Sequence, residues 1–293
     1  MFNKIVKKKY DLNSKKITKN IKILLMSDIH ISSIFKIKKI DKIINNIKDE
    51  KINYICIPGD LIDGTNILDE KNNEKIVINF IKRLSKISKV IISVGNHDIS
   101  RLRSNSFDTK WKPERNEVYF EKLKKLNNVY LLDNEIYTDN DISFIGFTPS
   151  FKYYKEKDED RELLIQELND KMIKINKNNY NILLCHSPIH MLDKNVLEKA
   201  KLMKDIDLIL SGHMHNGMVP PIIEKIWKGN CGIITPNKKL YPKAKVARGI
   251  IKKENKTLII SGGITKLSYS APTIFHPFND FFPMNIELIN INN

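Results

Sequence analysis

Five apolar runs in this 293-residue chain each end in a polar cluster that carries aspartate or histidine. No other feature constrains the fold as tightly. The sharpest example is Asp207-Leu208-Ile209-Leu210, followed by Ser211-Gly212-His213-Met214-His215-Asn216-Gly217. The run reads as a buried strand closed at its carboxyl end by Gly212. Residues two apart at a strand end can point the same way, so His213 and His215 can face one site. Paired imidazoles in such a place point to a metal.

The other four clusters lie upstream. Ile21–Met26 reads as a strand and runs into Asp28-Ile29-His30. Tyr54–Ile57 ends in Gly59-Asp60-Leu61-Ile62-Asp63, and Val90–Val94 ends in Gly95-Asn96-His97-Asp98. Between them, Ile37, Ile40, Ile43, Ile44 and Ile47 recur at helical spacing, as do Val77, Phe80, Ile81, Leu84 and Ile87. Asn181–Cys185 is a further core strand and ends in His186-Ser187-Pro188. Strands alternating with helices predict an α/β fold, and sites in such sheets gather beyond the carboxyl ends of the strands. Asp28, His30, Asp60, Asn96 and His97 should therefore share one rim.

The remaining stretches are less regular. Residues 99–117 read as a polar loop near the site, and residues 152–160 as an exposed loop. Helical spacing continues through Leu164, Ile165, Leu168, Met172 and Ile175. Residues 219–242 are rich in Pro and Gly; a hairpin-like pair, Ala247–Ile251 and Thr257–Ile260, follows, and Asn285–Ile289 should close a sheet. No linker-like shift in composition interrupts the chain. It divides into a basic N-terminal arm, residues 1–20, and one domain, residues 21–293.

Apolar residues make up 41%, enough for a real core at this length. The three cysteines, Cys56, Cys185 and Cys231, show no paired spacing, and two lie inside core strands, which fits a reducing compartment. No apolar stretch follows Lys7-Lys8-Lys9, and no window approaches the run of about 20 apolar residues that spans a bilayer. The expected location is the cytoplasm, with Lys4, Lys7, Lys8 and Lys9 offering weak peripheral contact with an anionic inner membrane face. The net charge of +16 has two readings. It is either an attraction for anionic partners or a compositional preference for lysine spread over a solvated face.

Five of the seven histidines fall in the strand-end clusters; only His190 and His276 do not. Carboxylate, amide and imidazole together suit divalent Mn, Fe or Zn better than calcium, which favours an all-oxygen shell. The donors are too many for one ion and suffice for two if a carboxylate bridges. Two ions roughly 4 Å apart can clamp a phosphoryl group and lower the pKa of a shared water.

Together, Asp28-x-His30, Gly59-Asp60-x-x-Asp63, Gly95-Asn96-His97-Asp98, His186 and Gly212-His213-x-His215 resemble the calcineurin-like metallophosphoesterases. All five blocks occur in order between residues 21 and 290. The resemblance implies a β-sandwich flanked by helices in four α/β/β/α layers. It also implies a dinuclear hydrolase of phosphomonoesters or phosphodiesters that works by direct attack of a metal-bridging hydroxide. By the same resemblance, Asp28, His30, Asp60 and His215 hold one metal. Asp60, Asn96, His186 and His213 hold the other, with Asp60 bridging. His97 then stabilises the transition state or protonates the leaving group. Asp98 has two readings: it orients His97 through a carboxylate–imidazole hydrogen bond and raises its pKa, or it caps a turn. Asp63 reads as a support rather than a ligand.

The protein Ser/Thr phosphatases of this family carry Arg after the second Asp of the second block and Glu at the end of the third. Here Gly64 and Asp98 stand there, which argues against that branch. A bacterial branch of phosphodiesterases and phosphatases is closer, although it usually has Gly where this chain has Asn216. Two alternatives stand beside a small-phosphoester hydrolase. One is a membrane-surface pyrophosphatase acting on lipid-linked UDP-sugars or related lipid phosphates. The other is an inactive scaffold of the same fold. Beyond the phosphoester substrate, no specific nucleic-acid or protein partner is indicated.

Overall fold

The computed structural model describes residues 4–105, 108–155, 160–171, 174–218, 247–267, 276 and 279–293. The Pro- and Gly-rich stretch 219–242, Met172 and Cys231 lie outside the described residues. In chain order the strands begin with β1 (Ile5–Asn13), β2 (Ile21–Leu25), β3 (Tyr54–Pro58), β4 (Lys89–Ser93), β5 (Ser100–Asn105), β6 (Asp108–Pro113) and β7 (Val129–Leu132). They continue with β8 (Ile136–Asp139), β9 (Ile142–Phe147), β10 (Tyr180–Cys185), β11 (Leu208–Ser211), β12 (Gly249–Lys253), β13 (Lys256–Ile260) and β14 (Met284–Asn292). The helices are α1 (Lys38–Ile47), α2 (Lys71–Ser85), α3 (Glu117–Lys124), α4 (Phe151–Lys155), α5 (Arg161–Asp170) and α6 (Lys194–Lys199).

Two six-stranded sheets form, ordered β1-β14-β2-β3-β4-β7 and β12-β13-β11-β10-β9-β8. Alternation along each strand explains how they stack. In β2, Ile23 and Leu25 face the second sheet, where they meet Phe144, Ile182, Leu184, Leu208 and Leu210. Leu24 faces the other way, towards Ile40, Ile43 and Ile47 of α1 and Val77, Phe80 and Ile81 of α2. The outer face of the second sheet, with Ile145, Leu183 and Ile209, is covered by Leu164 and Leu168 of α5 and Val196 of α6. The layers run α/β/β/α, as the resemblance implied. Cys56 and Cys185 are buried free thiols. Among the described residues, no helix is long and apolar enough to cross a membrane.

Three elements depart from the sequence reading. Residues 5–13, expected as part of a solvated arm, pair in parallel with β14 along their whole length. Leu12 is buried there and Tyr10 packs against the core between the sheets, so an amphipathic strand lies under the lysine run. At the sheet edge those lysines are at home, because charge discourages pairing with a second chain. Lys7 is also engaged by Glu50, at 2.9 Å. Residues 100–113, expected as a loop, form the antiparallel hairpin β5–β6. Residues 151–155, expected as loop from 152, form α4.

Candidate metal centre

β2, β3 and β4 are adjacent and parallel in one sheet, and β10 and β11 in the other. Their carboxyl ends therefore open onto one rim. β2 delivers Asp28 and His30, β3 delivers Asp60 and Asp63, and β4 delivers Asn96 and His97. β10 and β11 deliver His186, His213 and His215. Backbone bonds tie the loops together. Ile29 N–H and His30 N–H donate to the Asp60 carbonyl at 2.8 and 3.1 Å. From the second sheet, Ile264 N–H and Thr265 N–H donate to the carbonyls of Ser27 and Asp28 at 3.0 and 2.9 Å.

The backbone is strained where the donors sit. Asp28, His30, Asp60, His213 and His215 all have φ between 46° and 69°, a left-handed conformation that costs a residue with a Cβ. So does Asn216, at φ 58°. This accounts for the branch comparison above, since glycine is at ease there and asparagine is among the few residues that tolerate it. Close approach sets another requirement. A Cβ on Gly95 would lie 2.2 Å from Oδ1 of Asp60, so the third block needs glycine for Asp60 to reach the rim.

The sequence-predicted donors converge. Nε2 of His186 lies 3.0 Å from Oδ2 of Asp60, and Nε2 of His30 lies 3.4 Å from the same oxygen. Nε2 of His215 lies 3.5 Å from Oδ1 of Asp28. Asp28, His30 and His215 form one group of mutually close ligand atoms, and Asp60, His186 and His213 another. A third group, His30, Asp60 and His97, meets the same distance, so proximity alone would admit His97 as a ligand. The oxygen Oδ1 of Asn96 is buried close by in sequence and has no hydrogen-bond partner.

Hydrogen bonds hold two of the imidazoles in a form that could ligate a metal. Nδ1 of His186 faces the Pro58 carbonyl at 2.7 Å and Nδ1 of His215 faces the Thr265 carbonyl at 2.8 Å. A carbonyl only accepts, so each Nδ1 carries the hydrogen and each Nε2 is left as the donor to a metal. Asp28 accepts from His213 N–H at 3.0 Å and also from Ser27. Nε2 of His30, Nε2 of His186 and Oδ2 of Asp60 are buried without an aligned hydrogen-bond partner. Such atoms are costly unless something pairs them, and a cation among them would do so. The donor set fits divalent transition metals.

Of the two readings of Asp98 the structure bears out the turn cap, and it is Asp63, read as a support, that lies against the His97 ring. Asp98 does not bond the His97 ring. Its Oδ2 accepts from Asp60 N–H and Gly95 N–H at 2.8 and 2.9 Å, and its Oδ1 from Leu61 N–H and Ile62 N–H at 3.0 and 3.2 Å. Asp98 is the turn cap. Burial and then the charge of Asp60 push its carboxyl up to about 6, with the amides pulling the other way. Asp63 instead lies under both rings, its Oδ1 3.1 Å from Nδ1 of His97 and 3.2 Å from Nδ1 of His30. The adjacent Gly64, which stands where the Ser/Thr phosphatases have Arg, leaves room for the Trp111 indole. Trp111 packs across the His97 ring with centroids 4.3 Å apart. Sequence reading placed Trp111 in a loop near the site but gave it no role. His190 and His276 belong to none of these donor groups.

A two-sheet sandwich with imidazole and carboxylate donors on its shared rim defines a metallophosphoesterase-type centre. The chain belongs to the calcineurin-like phosphoesterases, whose family model matches residues 21–217. It is 24% identical over 211 residues to an uncharacterized metallophosphoesterase of Helicobacter pylori, covering 70% of this chain and 47% of that protein. An uncharacterized metallophosphoesterase of Campylobacter jejuni is 26% identical over 219 residues, covering 74% of this chain and 50% of that one. The chain spans about half the length of the curated relatives it matches. Among solved structures, a dimetal phosphatase from Danio rerio aligns over 83% of this chain and 87% of its own, at 10% identity and a TM-score of 0.40.

The electrostatics predict how metal and protons compete. Burial alone would lower the His30 imidazole, but Asp63, Asp60 and Asp28 outweigh it and raise it to about 9. Burial likewise opposes His186, yet Asp60 and Asp28 raise it to about 10. Metal-free protein at pH 7 therefore carries protons that ligation must displace. Loading should release about two protons per chain, and affinity should climb with pH until roughly 9–10. Calorimetry in two buffers of different ionisation enthalpy would measure the release, and its absence at pH 7 would contradict the ligand set. The metal-free fold should show the opposite trend. Raised imidazole pKa values stabilise it fully below the ordinary 6.5, and that contribution fades as pH rises through about 9 and 10.

Proposed function

We propose that this chain is a dinuclear-metal-dependent phosphoesterase that hydrolyses phosphomonoester or phosphodiester bonds. Asp28, His30, Asp60 and His215 would hold one divalent ion, and Asp60, Asn96, His186 and His213 the second. The observation that carries this reading is the convergence of buried, unpaired donors on Oδ2 of Asp60. When bound, two Mn, Fe or Zn ions would neutralise phosphoryl oxygens and lower the pKa of a water held between them.

The chain's own residues supply the rest. Asp28 and Asp60 bring negative charge to the rim. Neighbouring imidazoles overcome the effect of burial and keep both carboxyls low, so both are ionised and ready to bind cations. The carbonyls of Pro58 and Thr265 hold two imidazoles in the ligating tautomer. Asp63 orients His97 beside the donors, where an imidazole can give a proton to the departing oxygen. No serine or cysteine nucleophile is required. The complete donor set disfavours the inactive scaffold. The lipid-pyrophosphate reading gains nothing from Lys7, which is occupied by Glu50.

The test is turnover by protein loaded separately with Mn, Fe and Zn. Substrates should include a phosphomonoester, a phosphodiester and a lipid pyrophosphate. Metal-dependent cleavage of one of the first two is expected. Fully loaded, folded protein that cleaves neither would overturn the proposal.

A further inference from the structure

Directly after Asn96 and His97 the chain enters the β5–β6 hairpin, which is anchored hard. Arg101 donates to Asp69 at 2.6 Å and to Glu114 at 3.1 Å. Glu114 also accepts from the Thr65 hydroxyl at 2.7 Å, and Leu102 N–H donates to the Asn66 side chain at 3.1 Å. In the ladder Leu102 pairs with Trp111. The anchoring fixes Trp111, whose indole crosses the His97 ring at 75°. On another side it rests against Gly64, whose φ is +96°. A Cβ there would come within 2.8 Å of the indole Cζ3. The backbone of the second cluster is thus shaped to admit the indole. Trp111 is only partly buried, so part of the ring stays accessible beside His97.

We propose that Trp111 is a leaving-group platform, selecting phosphoesters whose leaving group carries a planar aromatic or heteroaromatic ring. This rests on the reading of His97 above. If His97 serves the departing oxygen, whatever adjoins its ring on the open side faces the leaving group. An indole offers that group a flat polarisable face and no charge. It favours stacking over the gripping of a second anion. The alternative is that Trp111 only steadies His97. The two differ in what they make the enzyme distinguish. A support affects all esters alike, whereas a platform affects those that can stack.

The experiment compares metal-loaded wild type, Trp111→Leu and Trp111→Phe on benzyl phosphate and cyclohexylmethyl phosphate. The two leaving groups have the same shape class and similar alcohol basicity but differ in planarity. A second pair, a nucleoside 5′-phosphate and ribose 5-phosphate, distinguishes a nucleobase from a simple aryl ring. Stacking of one ring corresponds to about tenfold or more in kcat/KM. Trp111→Leu should lose about that much of the preference for the planar partner, mostly through KM. Trp111→Phe should keep most of it. An unchanged preference in an active Trp111→Leu enzyme, even with a lower overall rate, would overturn the platform. If wild type turns over none of these monoesters and no phosphodiester either, the proposed function fails instead. Saturation transfer to the benzyl ring protons, present in wild type and lost in Trp111→Leu, then still decides whether Trp111 binds the ring.

Discussion

Asp60→Asn protein should lose metal from both positions and more than 100-fold in turnover. Changes to groups that merely support ligands typically cost about 10–100-fold, so removing the proposed bridging ligand should cost at least the upper part of that range. Asn matches Asp in shape. Its side-chain oxygen can still accept from His97 N–H, a bond of 2.9 Å in the native protein. The loop can therefore keep its form. The amide nitrogen must then occupy the place of Oδ2, facing Nε2 of His186 at 3.0 Å and Nε2 of His30 at 3.4 Å. A negative charge at the proposed bridging position is replaced by a hydrogen-bond donor, which cannot bind a cation. Elemental analysis should fall from close to two ions per chain to fewer than one. Melting and circular dichroism would confirm the fold. A folded variant that kept both ions would remove Asp60 from the bridging position.

How much of this was legible in the sequence depended on which faces each element buries. β2, β3, β4, β10 and β11 are buried on both faces, so they read as apolar runs without alternation. Their carboxyl ends carry the donors, and the two sheets meet along that rim. Strand β1 was hidden by Lys7, Lys8 and Lys9, because an edge strand tolerates charge that a central one does not. β8 alternates exposed and half-buried residues and gave no comparable signal. The hairpin β5–β6 is held by side-chain bonds to Asp69, Asn66 and Thr65 rather than by its own apolar pattern. Its nearness to the site was legible, but its strand pairing and the contact of Trp111 with His97 were not.

The donors themselves were legible as types at strand ends. Their supports were legible only in part: Asp63 read as a support without a named partner, and Asp98 as either the partner of His97 or a turn cap. Asp98 follows His97 in the chain, yet it turns back to four backbone amides. Asp63 lies far from His97 in sequence and close in space. The carboxylate nearest a histidine in sequence is a poor guide where the backbone reverses direction, and left-handed residues such as Asp60 make that reversal.

His97→Ala separates chemistry from metal binding, and its effect should be large. Removing a general acid or base typically costs 10²–10⁴-fold, so turnover of an ester with a poor leaving group should fall by about that factor. One observation favours an acid–base role over ligation, and a second indicates that the variant keeps the loop in place. Nδ1 of His97 sits 3.1 Å from Asp63, which would orient the ring. His97 is also anchored by its backbone N–H to Asp60, a bond that alanine retains. One observation opposes it, namely that His97 lies close enough to His30 and Asp60 to complete a ligand group. Metal content decides between them. If His97 assists the reaction, the alanine variant keeps both ions. The leaving group then distinguishes the form of assistance. A nitrophenolate departs with little protonation, so an acid's removal should matter less there than for an alkyl ester. Stabilisation of charge on the transferring phosphoryl would cost both esters alike. Loss of an ion together with the imidazole, or full activity on the alkyl ester, would show that His97 serves the site as a ligand or as packing.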